Sequence, residues 1–387
     1  MHPPTGYETS HLAGALVSRY EAVVCDLDGV VYRGHQPIDH AVQTLERIGE
    51  LGVRVVYGTN NASRPPQEVA GQLRALGLSL TDQAVVTSSQ AGAVVLAQQL
   101  PAGSRVLAVG GPGVSLALDD AGLTPLRVRL GPDGTAEPVQ GAVAVLQGYG
   151  RDVSWHDLAE AAYAVAAGAR WVATNDDATL PTSRGFAPGN GALVAAVRTA
   201  VAVDPLVVGK PHPPIYRLAA QAAGATVGRT LAIGDRLDTD IAGARATGMD
   251  SLHVLTGVHG LRDLCLAPTA MRPTYVGWDL RVLFSAAAEV TEVGRGRWQS
   301  GEAELTWDVG VEPRMPGGGD SATGTDGRVP TVQVRGGTAQ DRLRVVVAAA
   351  WWACDRGRAA EVSRLDWVGL AGQMQHGGVG VEQGWPP

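Results

Sequence analysis

Lysine is almost missing from this 387-residue chain: 31 residues are basic, and all but Lys210 are arginine. Cysteine is nearly as scarce. Cys25, Cys265 and Cys354 are odd in number and far apart, which excludes a disulfide framework and a clustered zinc site and fits a reducing compartment such as the cytoplasm. Positive charge is in deficit too, with a net charge of −7, so nucleic acid and anionic membrane surfaces are poor candidates for the main partner. No apolar run is long enough to span a membrane; Val345–Cys354 reaches about half the required length. Met1–Thr9 has no basic stretch and Leu12–Val17 is too short for a signal core, so no secretion signal is expected. The length and an apolar content of 45% leave room for about two or three domains and a sizeable core.

The chemistry that is present begins in Val23–Tyr32, which reads Val-Val-Cys-Asp-Leu-Asp-Gly-Val-Val-Tyr. Ala22–Cys25 has the length and β-branching of a buried strand. It ends in Asp26 and Asp28, and Gly29 frees the chain to turn. The two-residue period of a strand turns both carboxylates to one side and Leu27 to the other. Carboxylates that close repel unless a cation or a shared proton compensates, so the pair implies chemistry. The plainer alternative is a polar strand end facing water.

Along the chain, strands alternate with helices. His40–Leu51 has helical spacing, and Val53–Gly58 is a strand running into the polar cluster Thr59-Asn60-Asn61-Ala62-Ser63-Arg64. A helix from Pro65-Pro66 to Leu76 follows, then a strand at Ala84–Thr87 and a helix at Ser89–Leu100. This rhythm predicts a doubly wound, Rossmann-like parallel sheet covered on both faces, with ligands beyond the carboxyl ends of its strands. A second unit over 101–205 has strands at Arg105–Val109, Val139–Leu146 and Trp171–Thr174, and helices at Gly113–Ala121, Ser154–Ala167 and Ala192–Ala202. Within it, Gly110-Gly111-Pro112-Gly113 reads as a strand-to-helix turn; no Gly-Lys-Ser/Thr follows and Pro112 removes an amide. The first rhythm resumes at Leu206–Val208, which leads to Lys210, and continues through a helix at Pro214–Ala223 to a strand at Thr230–Ile233 that ends in Asp235 and Asp240. Residues 1–100 and 206–288 thus form one core. After Ala288 come six of the nine tryptophans, so a separate small α+β domain is expected over 298–372, behind a linker at 289–297. It should hold strands at Glu304–Val309, Thr331–Arg335 and Leu365–Val368 and a helix at Gln340–Cys354, with Met315–Arg328 a polar loop and 373–387 a tail.

Four polar clusters, Asp26/Asp28, Thr59-Asn60, Lys210 and Asp235/Asp240, are expected at four strand ends of one sheet. Together they resemble the haloacid dehalogenase superfamily over about Glu21–Ala287, and in particular the subclass with a large inserted α/β cap, here 101–205. Thr59–Arg64, Gly234–Ile241, Thr179–Thr182 with Pro188–Gly191, and Arg272–Tyr275 with Asp279–Arg281 are similar to the actinobacterial D-glycerol 3-phosphate phosphatases. The resemblance implies an Mg²⁺-dependent hydrolysis of a small phosphorylated metabolite, glycerol 3-phosphate first and 2-phosphoglycolate or another small monoester as the alternative.

On that resemblance Asp26 is the nucleophile, and Asp28 protonates the leaving group and then activates water. Asp26, Asp235 and a carbonyl of Asp28 hold Mg²⁺, with Asp240 behind them. Thr59 and the Asn60 amide hold phosphate oxygens, while Lys210 neutralises charge as a compact point cation. Asn175, Asp177 and Asn190 match cap positions near the substrate, with plain loop-capping as the alternative. Arg64 reads as solvated, Asp238 as a helix cap or a solvated loop residue, and His212 as a bystander. In the C-terminal unit, Gln333-Val-Arg-Gly336-Gly337-Thr338 is a near miss to an acyl-CoA loop, which suggests a degenerate acetyltransferase-like fold. A phospho-metabolite sensor is the rival reading, and the intact Asp26/Asp28 pair weighs against it. Every motif residue precedes Ala288, so the chemistry is expected to survive truncation near Gly296. Homo-oligomerisation is compatible with all of this.

Overall fold

The computed structural model describes residues 14–182, 184–307 and 332–376. Contacts divide the chain into a unit of residues 19–234 and 238–251 and a unit of residues 1–18, 235–237 and 252–387.

The first unit is built on parallel sheets. Ala22–Cys25 lies between Thr230–Gly234 and Arg54–Thr59, and Val85–Thr87 pairs beyond the latter. All four residues of Ala22–Cys25 are buried, as a central strand covered on both faces demands. Helices Ala41–Glu50, Pro66–Ala75, Ser88–Ala97 and Pro213–Ala222 accompany these strands. Thr87 and Gln90 start the third helix with reciprocal capping bonds, which ends the strand before it in one residue.

A second parallel sheet of five strands occupies the inserted segment, in the order Leu206–Val207, Arg170–Ala173, Ala144–Gln147, Arg105–Val109, Thr124–Leu126. Its helices are Pro112–Asp120, Trp155–Ala166 and Asn190–Ala200, and an antiparallel hairpin joins Thr179–Thr182 to Gly185–Pro188. Two expectations change here. The strand expected over 139–146 is only Ala144–Gln147, since Gly141 at φ 72° breaks extended backbone. Leu206–Val207 is an edge strand of this sheet, so Lys210 does not follow a strand of the sheet that carries Asp26.

Gly111 and Gly113 explain the turn before Pro112–Asp120. Gly113 N donates to Ser63 O at 3.1 Å. A Cβ on Gly111 would lie 2.5 Å from Ser63 O, and one on Gly113 would lie 2.6 Å from Ala62 O. The helix start therefore rests, main chain to main chain, on the loop that follows Thr59.

In the second unit Leu252–Val254 pairs in parallel with Tyr275–Gly277. Thr291–Gly294, Arg297–Ser300, Ala303–Trp307 and Val332–Arg335 form an antiparallel sheet. Trp298, Ser300, Ala303, Leu305 and Trp307 are buried between exposed neighbours, the alternation of a sheet covered on one face. The helix Ala339–Asp355 buries Leu343, Val346 and Ala350. Its other contacts reach the strand and helix that precede this sheet. Gln340 Nε2 donates to Val276 O at 2.6 Å, Trp351 Nε1 to Leu264 O at 2.8 Å and Trp278 Nε1 to Ala339 O at 3.1 Å. Arg272 meets Asp355 with both nitrogens, at 2.7 and 2.8 Å.

Three expectations are corrected in this unit. The linker at 289–297 contains Thr291–Gly294 and the start of Arg297–Ser300, both in the sheet. Leu365–Val368 is not a strand; Trp367–His376 is a helix, which also takes up the first four residues of the expected tail. The short apolar run fitted either state, and its length could not decide. Met315–Arg328 and the rest of the tail lie outside the described residues.

Candidate active site

Asp26 is the first residue beyond its strand, and its N–H still donates to Ile233 O at 2.9 Å. Leu27 turns into the core at 2% exposure, while Asp28 faces out, as the two-residue period predicts. Gly29 takes φ 86° and donates to Tyr32 O at 2.8 Å, which folds the chain back beside the pair. Partial burial of the Asp28 carboxyl raises its proton affinity above the ordinary carboxylate range, opposed by the Gly34 amide and by Arg33. Beneath Asp26, the Cys25 thiol donates to Asp26 O at 3.1 Å. Burial, then the charge of Asp26, pushes that thiol up, so it stays neutral and unreactive.

Lys210 ties the strand ends together. Its Nζ pairs with Asp26 Oδ1 and, at 2.8 Å, with Asp240 Oδ1. Burial alone would pull the ammonium down, yet Asp240 and Asp26 together hold it well above its usual range. Asp240 is 3% exposed and sits in the wide turn Leu237–Ile241, whose carbonyls at Thr239 and Asp240 accept from Tyr216 Oη at 3.2 and 3.0 Å.

Asp235 follows directly on Thr230–Gly234 and is fully buried. Its Oδ2 accepts from Val258 N at 2.6 Å, and its carbonyl from His259 N at 3.3 Å. His259 Nδ1 accepts from Leu237 N at 2.9 Å, so the 257–259 loop holds one oxygen of this carboxylate and the main chain that carries it. Asp26 and Asp240, both on Lys210, bring two carboxylates to one ammonium. Two carboxylates on one ammonium leave negative charge in a mostly buried space, which a bound cation would offset. An all-oxygen donor set suits a hard ion such as Mg²⁺.

The remaining predicted residues divide. Thr59 Oγ1 accepts from Asn61 N at 3.1 Å and is half-buried. The side chain of Asn60 is engaged: Oδ1 accepts from Lys210 N at 2.7 Å, and Nδ2 donates to Lys210 O at 3.0 Å and to Asp177 Oδ2 at 3.1 Å. Asn175 and Asn190 are 4% and 1% exposed, and their amides serve main-chain carbonyls. Asn175 Nδ2 donates to Asn60 O at 2.8 Å, and Asn190 Nδ2 to Asn175 O at 2.6 Å. His212 stands just before the helix Pro213–Ala222 and makes no side-chain capping bond there.

Sequence reasoning missed three participants. Arg64, read as solvated, is half-buried and donates to Gln72 Oε1 at 2.9 Å. It also bonds the Tyr32 phenol, which burial pushes up to about 12 against the lowering effect of Arg64. Tyr216 and the 257–259 loop were not singled out at all. The one available signal was the apolar spacing that buries one face of Pro213–Ala222; it says nothing of what a phenol on that face would meet.

Models of two families, described as haloacid dehalogenase-like hydrolase and HAD-hydrolase-like, match residues 23–124 and 207–283. D-glycerol 3-phosphate phosphatase of Mycobacterium tuberculosis is 44% identical over 286 residues, 74% of this chain and 77% of that protein. The chain belongs to the haloacid dehalogenase-like hydrolases. Within them, acid sugar phosphatase of Staphylococcus aureus is 34% identical over 264 residues, 68% of this chain and 96% of its own. A glycerol phosphate phosphatase of M. tuberculosis solved in complex with magnesium has a TM-score of 0.68 and 37% identity, covering 88% of this chain and 93% of that one. The p-nitrophenyl phosphatase of Archaeoglobus fulgidus gives 0.62 and 27%, covering 69% and 99%. These relatives agree with the subclass of haloacid dehalogenase-like hydrolases that carries the large α/β cap.

Proposed function

We propose that this chain is an Mg²⁺-dependent phosphatase of small monoesters, with glycerol 3-phosphate as its substrate. The observation that carries the reading is the meeting of Lys210 with Asp26 and Asp240. The names of the glycerol phosphate phosphatases to which the chain is similar support the choice of ester. A 2-phosphoglycolate substrate fits the same residues, and phosphate release from a panel of monoesters decides between them.

Asp26, Asp235 and the Asp28 carbonyl would hold Mg²⁺, with Asp240 behind. Bound there, it would supply the positive charge that offsets the repulsion between the Asp26 carboxylate and a phosphate dianion. A carboxylate oxygen of Asp26 attacks phosphorus, forming an aspartyl-phosphate as the bond to the leaving oxygen breaks. Asp28, whose proton affinity is raised, gives its proton to that oxygen. It then takes a proton from the water that attacks the acyl phosphate, releasing phosphate and restoring Asp26. Lys210 neutralises charge on the transferring group, and Thr59 Oγ1 with the Asn60 main-chain amide holds its other oxygens. The Asn60 side-chain amide is spent on Lys210 and Asp177.

The core over 1–100 and 206–288 with a cap over 101–205 remains the domain division we favour, with the cap boundary moved past Val207 to keep its edge strand. The degenerate acetyltransferase reading of the C-terminal domain gains no ligand site. Thr338 and Asp341 already cap the helix Ala339–Asp355, and an acidic cap repels a pyrophosphate. A cytoplasmic location agrees with the scarce cysteines, and among the described residues no helix is long and apolar enough to cross a membrane.

The test is phosphate release with Mg²⁺ and its loss in Asp26→Asn. Turnover within tenfold of wild type in that variant would remove Asp26 as nucleophile and with it the reading.

A further inference from the structure

Asn60 holds Lys210 through its main chain. The partners fix the orientation of the amide, since Lys210 N must face Oδ1, while Lys210 O and the Asp177 carboxylate must both face Nδ2. All the hydrogen-bonding capacity of Nδ2 is thereby used, one hydrogen on the lysine and one on the cap. The bond to Asp177 is charge-assisted, so it polarises the amide and strengthens its grip on Lys210 O.

The same cap loop holds Asn60 a second time, through Asn175 Nδ2 on Asn60 O at 2.8 Å. The residue before the lysine must be small for this to close: a Cβ on Gly209 would lie 2.3 Å from Thr174 O and 2.6 Å from Asn60 Oδ1. Asp177 is itself held by the start of the last cap helix, where Gly191 N donates to Asp177 O at 2.8 Å. A carboxylate is also a poor neighbour for a phosphate dianion, whereas it suits a donor amide.

We propose that Asp177 is a positioning residue, which carries the placement of the cap to Lys210 through Asn60 and makes no contact with substrate. This rests on the phosphatase reading, in which Lys210 faces the transferring group.

The experiment compares Asp177→Ala and Asp177→Asn in the full chain with Mg²⁺, using p-nitrophenyl phosphate and glycerol 3-phosphate as probes. Losing the acceptor should lower kcat about tenfold on both esters with KM within twofold, the size expected for one hydrogen bond. Asp177→Asn, which keeps an acceptor oxygen, should restore most of the rate. In an Asn60→Ala background, Asp177→Ala should cost nothing further. A rise in KM, an effect on one ester only, an unchanged kcat in Asp177→Ala, or additive losses with Asn60→Ala would each overturn the proposal. Should wild type release phosphate from no monoester, the phosphatase reading falls, and crystal structures still decide the positioning. Lys210 must then be displaced in Asp177→Ala relative to wild type, and an unmoved lysine refutes it.

Discussion

The phenol of Tyr216 donates to the main-chain carbonyl of Asp240 at 3.0 Å, while the Asp240 carboxylate holds Lys210 at 2.8 Å. One buried side chain on the helix that begins just after Lys210 thus sets the turn that supplies the lysine's partner. Gly243 makes room for the ring, since a Cβ there would lie 2.4 Å from Tyr216 Cε2.

Tyr216→Phe removes the hydroxyl and leaves the ring. The expected result is a kcat about tenfold lower with little change in thermal midpoint, because the hydroxyl's shared bond to Thr239 O and Asp240 O is lost from a turn that the ring still supports. Tyr20→Phe is the control: Tyr20 Oη donates to Asp250 Oδ2 at 2.7 Å, another buried phenol whose loss should leave kcat alone. Equal kinetic losses in the two variants would show a general softening of the fold.

Lys210 offers a chemical test because no other ε-amino group exists in the chain. At 7% exposure, with a proton affinity raised by Asp240 and Asp26 above the ordinary 10.5, it should resist acetylation at pH 8 in the folded protein and react once urea unfolds the chain. The sign is that of a raised cation: its ion-pair contribution to stability is complete below the unfolded value and is lost as pH climbs through the folded one. Peptide mapping of acetylated samples checks this. Complete native acetylation of Lys210 without unfolding would contradict the ion-paired geometry.

Gly257 touches the Asp235 carboxylate so closely that a Cβ would lie 1.9 Å from Oδ2. Gly257→Ala must displace one or the other. The Mg²⁺ concentration for half-maximal activity should rise at least tenfold while the far-ultraviolet circular dichroism is unchanged; calorimetric Mg²⁺ titration offers a direct reading. Wild-type Mg²⁺ response in the variant would separate Asp235 from the metal.

Truncation near Gly296, harmless by sequence position, is not expected to be harmless in the folded protein. The helix Ala339–Asp355 donates to Leu264 and Val276 carbonyls and closes over the buried Cys265, whose thiol burial pushes far above its usual range. The shortened chain should expose this apolar surface and aggregate or melt well below wild type. Trp351→Ala gives the milder version, about 3 kcal/mol by the usual cost of removing a large packed aromatic, measured by urea unfolding. A monodisperse truncated protein with wild-type melting would show that the helix is dispensable.

The charged motifs were legible because apolar strands leave few places for polar side chains, and Asp26, Thr59 and Asp235 all stand where such a strand stops. Lys210 was legible as a residue but not as a location. Leu206–Val207 is too short to reveal its sheet, and only the register with Val172 and Ala173 assigns it to the cap. Asparagines hid their roles for another reason. An amide that serves a substrate and one that serves a carbonyl have the same composition and spacing, so the bonds of Asn175 and Asn190 to main-chain carbonyls could not be read from the sequence. The helix Trp367–His376 was lost to a run of apolar residues too short to show a period.

The glycine contact between the start of Pro112–Asp120 and the loop after Thr59 bears on how caps could be exchanged. It is a fit of backbone to backbone, with Ser63 O receiving Gly113 N and no side chain from the cap in between. A cap transplanted from a relative would therefore dock on this core only if it brought the Gly-Gly-Pro-Gly turn with it. Substrate preference could then be grafted wholesale, whereas a donor cap with alanine at either contact glycine would push against the very loop that carries Thr59 and Asn60.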